Sequence, residues 1–334
     1  MSPLAFGVLM TLASLPSVVC LFFVWWMDKY DREQPSVVFA VFLGGAVLSI
    51  LLAIQGQTTF SQIAHAHAWV LTNPADYTRV STIISGPAIE ELAKLVVLLP
   101  LLAYREFDNM TDGFVYGAAV GFGFAATENY IYLNHIQPDS ATFVSTFIVR
   151  ATYCSLSHAV YTAIVGASLG FGRYRRPTHA LASLGIGLGL ATTAHALWNA
   201  LVLATLIHQK THLFWLDALI FPVLAATVFV VFRLCVYNET RVLYRELHLE
   251  ATRGTLPSQY VTHLSRWEGR THTDWLPPSI PRDAFIRTAT RLGMRRHQRE
   301  LLGNRAQDHI EEDIQALRAQ LLELWKPESP HAQS

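Results

Sequence analysis

Ionisable side chains stand where this chain is otherwise apolar: Glu90, Glu91 and Lys94 in one apolar stretch, Glu128 in the next, Arg150 and His158 in another, and His195 in a fourth. An ionisable residue at mid-bilayer costs about 2.5–3.5 kcal/mol on an insertion scale, so each needs a partner or a use. The residue types suit hydrolysis. Carboxylates can take a proton from water, imidazoles can hold a metal or move a proton, and the amide of Asn199 can donate to an oxyanion. In the run from Ser85 to Lys94, Glu90 and Lys94 are i,i+4 and Glu91 and Lys94 are i,i+3, so one ammonium can compensate at least one carboxylate. Adjacent helical residues point about 100° apart, so the two glutamates do different jobs. One is expected to face the reaction centre and the other to anchor Lys94 or a neighbouring helix. A purely structural ion pair is the alternative.

Gly113, Gly117 and Gly121 repeat every four residues, a stripe that lets another helix approach closely, and Glu128 lies seven residues further along it. This phase directs Glu128 into a bundle interior, where a carboxylate must meet a proton, a cation or a donor, or make a structural interhelical hydrogen bond. His158 follows Ser155 and precedes Thr162 by one turn each; His195 follows Thr192 and precedes Asn199 in the same way. A lone histidine reads as a satisfied core residue, whereas two polar stripes with imidazoles facing helices with carboxylates form a constellation. Ser157 adjoins His158, but adjacent helix positions diverge, so no serine nucleophile competes.

Positioning these residues requires a bundle. With 51% hydrophobic and 15% charged residues over 334 positions and a mean hydropathy of +0.29, the chain is too apolar for a soluble domain. Zero formal net charge gives no basis for nucleic-acid binding. At about 20 residues per crossing, seven spans are expected, at 3–27, 36–54, 87–104, 113–133, 143–171, 180–207 and 213–236. The first lacks the basic start and cleavage site of a signal peptide and reads as a retained span. Lys29 and Arg32, then Arg105, then Arg173, Arg175 and Arg176 fall in alternate loops, which places the N-terminus outside and the C-terminus in the cytosol. The other loops offer Arg79 and Lys210. In that topology Glu90, Glu91, Glu128, His158 and His195 share the outer half of the bilayer. The loop over 55–86 is expected to hold a short interfacial helix at 60–71 with His65 and His67 as surface residues. Fourteen of the 25 Lys and Arg residues follow Cys235, so residues 1–237 read as a transmembrane catalytic domain and 238–334 as a cytosolic helical tail. In that tail Ile310, Ile314, Leu317, Leu321 and Leu324 form an apolar stripe in an amphipathic run over 282–325, which packs on itself or on a helical partner. Cys20, Cys154 and Cys235 have neither disulfide nor metal spacing. The fold class is therefore all-α, a polytopic helix bundle with a helical tail.

The segments Asp31-Arg32-Glu33-Gln34-Pro35, Glu90-Glu91-Leu92-Ala93-Lys94, Asp112 to Gly117, Gly123 to Asn129, His158, and His195-Ala196-Leu197-Trp198-Asn199 resemble, in this order, the PrsW family of intramembrane proteases, itself distantly similar to the CAAX prenyl endopeptidases. The resemblance covers about 29–199 and leaves the tail open. It implies site-specific proteolysis of membrane-anchored proteins, such as anti-sigma factors, with the family's essential glutamates at Glu90 and Glu91, its essential histidines at His158 and His195, and further motif positions at Glu128 and Asn199. Two arrangements fit these residues. In one, Glu128, His158 and His195 hold Zn²⁺ and Glu90 or Glu91 is the general base. In the other, without metal, a glutamate polarised by His158 activates water while His195 and Asn199 form the oxyanion hole. No His-Glu-x-x-His helix decides between them. A cation-coupled carrier is the first rival function and a non-catalytic scaffold presenting its tail is the second. The expected partners are the bilayer and a membrane-anchored protein substrate; the expected location is a bacterial inner membrane.

Overall fold

The computed structural model describes residues 3–27, 33–66, 74–136, 141–208, 211–272, 274–303 and 308–325. Among them there are helices and no strand. Lys29, Asp31, Arg32, His67, Lys210 and Lys326 lie outside the described residues. The chain divides into two compact units, the first comprising Met1–Met27, Glu33–Arg173 and Pro177–Phe232, the second Asp28–Arg32, Tyr174–Arg176 and Arg233–Ser334.

In the first unit α1 spans Pro3–Met27 and α2 spans Pro35–Gly44, which continues through a π-helical turn at Gly45–Ser49 into α3, Ile50–Ala66. The rod thus outruns the 36–54 stretch and takes in the first part of the segment expected as a loop, to Ala66. The polar residues past Ile54 bond within the helix: Thr58 donates to the Ile54 carbonyl at 2.8 Å, Thr59 to that of Gln55 at 2.9 Å, and His65 Nδ1 lies 2.7 Å from that of Ser61. Such i−4 bonds satisfy these polar side chains within the helix.

Helix α4, Pro74–Val80, a π turn at Ser81–Ser85 and α5, Gly86–Leu98, form a second composite rod, closed by a 3₁₀ turn at Leu99–Ala103. Pro87, where the expected 87–104 span begins, lies inside this rod. Proline removes an N–H and crowds the carbonyl four residues back, and the widened turn directly before it accommodates both. Helix α6, Met110–Asn134, begins with a capping box: Asn109 accepts from the Thr111 and Asp112 amides while Asp112 accepts from the Asn109 amide. Helix α7, Ala141–Val149, runs through a third π turn, Arg150–Cys154, into α8, Ser155–Gly172; α9 covers Pro177–His208 and α10 covers Thr211–Thr252.

Four stretches are long and apolar enough to cross a membrane: Phe6–Trp26, Pro35–Ala66, Thr142–Gly172 and Pro177–Thr205. The expected stretches at 87–104, 113–133 and 213–236 are helical over most of their length, but among the described residues they do not meet that measure. Helix α6 is the buried centre, packed on α8, α1 and α2. Its glycines explain how closely: a Cβ at Gly117 would come within 2.3 Å of the Thr162 carbonyl, and one at Gly121 within 2.3 Å of the His158 carbonyl.

The second unit holds the end of α10, α11 (Ser258–Ser265), α12 (Trp267–Thr271), α13 (Arg282–Leu302) and α14 (Asp308–Trp325). Leu243, Leu247, Leu264, Phe285, Ile286 and Leu292 form its core, and the α14 stripe of Ile310, Ile314 and Leu321 is buried in it, with Leu317 and Leu324 packed alongside. The amphipathic run expected as one stretch is two helices, and Gly303, at φ +53°, closes the first. Glycine suits that left-handed position because it carries no Cβ.

Candidate active site

Helix α5 turns Glu91 and Lys94 inward until neither has any exposed surface. A buried ammonium must be balanced. Lys94 Nζ donates to Glu91 Oε1 at 2.7 Å, lies 3.9 Å from Glu90 Oε2, stands 4.2 Å above the Phe124 ring, and reaches His158 Nδ1 at 3.0 Å. An ammonium only donates, so Nδ1 of His158 accepts and the proton of the neutral ring sits on Nε2. That nitrogen lies 2.8 Å from Glu128 Oε2, which accepts from it.

His195 is held in a parallel way with its nitrogens exchanged. Its Nδ1 is 2.9 Å from Glu91 Oε1; a carboxylate only accepts, so Nδ1 carries the hydrogen and the Nε2 lone pair faces Glu90 Oε2 at 3.8 Å. Tyr161 stacks on the His195 ring at 5.1 Å, and the two imidazoles meet edge to face at 5.1 Å. His195 thus gives one nitrogen to a carboxylate and turns the other towards Glu90, whereas His158 gives Nε2 to Glu128 and its Nδ1 lone pair to Lys94. Metal-binding histidines are oriented by this kind of carboxylate contact.

Ligand atoms of Glu90, His158 and His195 all lie within 4.8 Å of one another. Oε2 of Glu90 and of Glu91 are buried without a hydrogen-bond partner, and a buried unpaired oxygen calls for an ion or a water. With neutral imidazoles, Glu90, Glu91 and Glu128 set three negative charges against the two positive ones of Lys94 and Arg150. A divalent cation fits these residues in donor type and in charge.

Glu128, the third ligand in the sequence reading, lies outside that group. It accepts a hydrogen bond from Arg150, whose Nε donates to Asn129 Oδ1 at 2.9 Å. Asn199, expected at an oxyanion, donates through Nδ2 to the Thr82 carbonyl at 2.9 Å. In the π register that carbonyl would take the N–H of residue 87, which proline lacks. His65 lies on α3, in ring contact with Tyr77 at 5.1 Å, and is not part of the cluster. Two neighbours had no assigned part in the sequence: Arg150, the counter-ion of Glu128, and Tyr161, the platform under His195. The signal for Tyr161 was its position three residues after His158, on the same helical face.

Residues 33–232 match the family described as PrsW family intramembrane metalloprotease. The chain is 32% identical over 160 residues to Protease PrsW of Geobacillus kaustophilus (strain HTA426), a match covering 48% of this chain and 64% of that protein. It is 28% identical over 197 residues to Protease PrsW of Halalkalibacterium halodurans, covering 58% and 83%, and 26% identical over 190 residues to Protease PrsW of Bacillus subtilis (strain 168), covering 57% and 80%. The chain therefore spans just under two thirds of the Geobacillus relative and more of the other two. No solved structure matches it. The matched region contains every residue of the cluster and ends at Phe232, where the first compact unit also ends. With carboxylates and imidazoles so disposed and the family match spanning more than half of its length, the chain belongs to the PrsW family of intramembrane metalloproteases.

Proposed function

We propose that this chain hydrolyses peptide bonds of membrane-anchored proteins at a metal site formed by Glu90, His158 and His195. The observation that carries the reading is the buried, unpartnered Oε2 of Glu90 facing the free Nε2 of His195 at 3.8 Å. A divalent ion such as Zn²⁺, bound there, would polarise the scissile carbonyl and make water nucleophilic at neutral pH. Glu91 holds His195 by its Nδ1 hydrogen, which turns the Nε2 lone pair to Glu90; Glu128 holds His158 by its Nε2 hydrogen, and Lys94 would release the Nδ1 lone pair to a bound ion. Lys94 keeps the enclosed Glu91 ionised. Proton transfer to and from water falls to Glu90 and Glu128, whose side chains are 17% and 18% exposed, since Glu91 is sealed. Asn199 acts by holding the turn before α5.

The wider reading retains seven crossings, an outer N-terminus, a bacterial inner membrane, and a cytosolic unit after residue 237. The alternation of loop Lys and Arg supports that orientation. Four of the crossings also rest on helix length and composition.

The test is cleavage of a membrane-tethered substrate by purified protein, with metal analysis of the same sample. Glu90→Gln and His195→Ala are expected to insert normally, to lose bound metal, and to cleave at least about 100-fold more slowly. Undiminished cleavage in both variants, or full activity in metal-free wild type, would overturn the reading.

A further inference from the structure

The sequence leaves Arg150 as an intramembrane cation with no assigned part. We propose that Arg150 is a positioning residue of the hydrolytic site, fixing Glu128 so that Glu128 in turn fixes His158; this rests on the metal-site reading above. Arg150 bonds the same Glu128 oxygen, Oε2, that accepts from His158 Nε2, and its Nε donates to Asn129 Oδ1. Its guanidinium stands 3.9 Å above the Tyr132 ring. Glu128, Asn129 and Tyr132 all lie on α6, so one side chain from the α7–α8 rod grips three positions of its neighbour.

The π turn makes this grip geometrically available. Eight residues separate Arg150 from His158, and on a regular helix that interval leaves the two side chains about 80° apart. A π turn places one extra residue in the turn and takes back about 100°, so the two emerge within roughly 20° of each other. The turn at Arg150–Cys154 lies within this interval. It is held from outside its own backbone: Asn129 Nδ2 donates to the Arg150 carbonyl at 3.3 Å and to Ser155 Oγ at 2.9 Å, and Ser155 Oγ donates to the Arg150 carbonyl at 3.0 Å. Asn129 therefore binds the guanidinium through its oxygen and the turn through its nitrogen. Arg150 touches neither imidazole in any of these contacts; its effect on the site passes through Glu128.

The experiment compares full-length wild type, Arg150→Ala, Arg150→Lys and His195→Ala in detergent, reading Zn²⁺ affinity by chelator competition, kcat and KM on a tethered substrate, and thermal melting. Partners behind a metal ligand are worth about 10- to 100-fold in affinity. Arg150→Ala is expected to bind Zn²⁺ about 10-fold more weakly and to lose kcat by a similar factor with KM nearly unchanged. Arg150→Lys, whose single ammonium cannot serve Glu128 and Asn129 together, is expected to fall between Arg150→Ala and wild type. Wild-type Zn²⁺ affinity and kcat in folded Arg150→Ala overturn the proposal; if that variant does not fold, the same result in Arg150→Lys overturns it. His195→Ala separates the two readings. If it binds Zn²⁺ like wild type, the metal site itself is misassigned; if it loses Zn²⁺ while Arg150→Ala does not, the role of Arg150 alone fails.

Discussion

Lys94 has no path to water, so its charge must be balanced by Glu91, Glu90 and the His158 lone pair that surround it. Removing one partner of a buried pair leaves the other charge uncompensated, at about 3–5 kcal/mol. Lys94→Met is therefore expected to destabilise the protein by about that amount, and Lys94→Met with Glu91→Gln to recover most of the loss while remaining inactive. Melting of the two variants in detergent checks this, and strict additivity of their effects would contradict it. At this scale the spacing of Glu90, Glu91 and Lys94 already implied the ion pairs, because i+3 and i+4 neighbours share a helical face. The reach of Lys94 to His158 and of Arg150 to Glu128 was not legible. Those bonds join residues 64 and 22 positions apart, and one helix's phase carries no information about the distance to another.

Between elements, α6 and α8 approach so closely that glycine hydrogens face backbone carbonyls. Gly121→Ala would put a methyl carbon 2.3 Å from the His158 carbonyl, and the clash cannot be relieved by a side-chain rotation. Overpacking of this kind costs about 1–3 kcal/mol. The α8 backbone displaced is the one that carries His158, so activity should fall with stability. Gly185→Ala on α9 meets nothing within 4 Å and is expected to melt like wild type or slightly higher. Equal melting of the two variants would show that the close approach is not structural. The glycine repeat and the phase of Glu128 were readable because a regular helix advances evenly. The composite rods were not. Each π turn resets the phase of the helix beyond it, and hydroxyl bonds such as that of Thr58 to Ile54 satisfy, within the helix, residues whose polarity reads as loop. Glu128 reads as the ligand and Glu90 or Glu91 as the base for the same reason: sequence phase orients each carboxylate on its own helix but not relative to the others.

On the scale of the whole molecule, the second unit is held by buried charge as well as by its apolar core, which makes it sensitive to acid. Burial alone would raise the Glu250 carboxyl, but hydrogen bonds from Arg318 and Thr255 and the charges of Arg318 and Arg296 outweigh it and hold the group down at about 2, from 4.5. Burial and Arg245 push His297 down to about 4, from 6.5, against the opposing pull of Glu246. Both folded values are depressed, so the unfolded chain binds more protons as pH falls. The His297 contribution is complete above about pH 6.5 and is lost towards 4, and that of Glu250 is complete above about 4.5 and is lost towards 2. Hydrogen exchange in 282–325, corrected for intrinsic rate, should therefore quicken as pH falls below about 6.5; pH-independent protection would contradict the linkage. The apolar stripe of α14 was legible as amphipathic helix, whereas the convergence on Glu250 of Arg253 just past α10, Arg296 of α13 and Arg318 of α14 depends on the folded arrangement.

The single hydrogen bond from Asn199 to Thr82 also bears on the order in which the chain is made. Proline at position 87 leaves the Thr82 carbonyl without a partner from its own helix, and the donor that satisfies it is synthesised 117 residues later. A carbonyl left without a partner away from water is penalised by about 1–3 kcal/mol. The turn that carries Thr82 is therefore completed only when the helix bearing His195 and Asn199 has arrived beside it. A chain interrupted before α9 lacks both that donor and the imidazole that bonds Glu91, so the cluster comes together only once its last member has been translated.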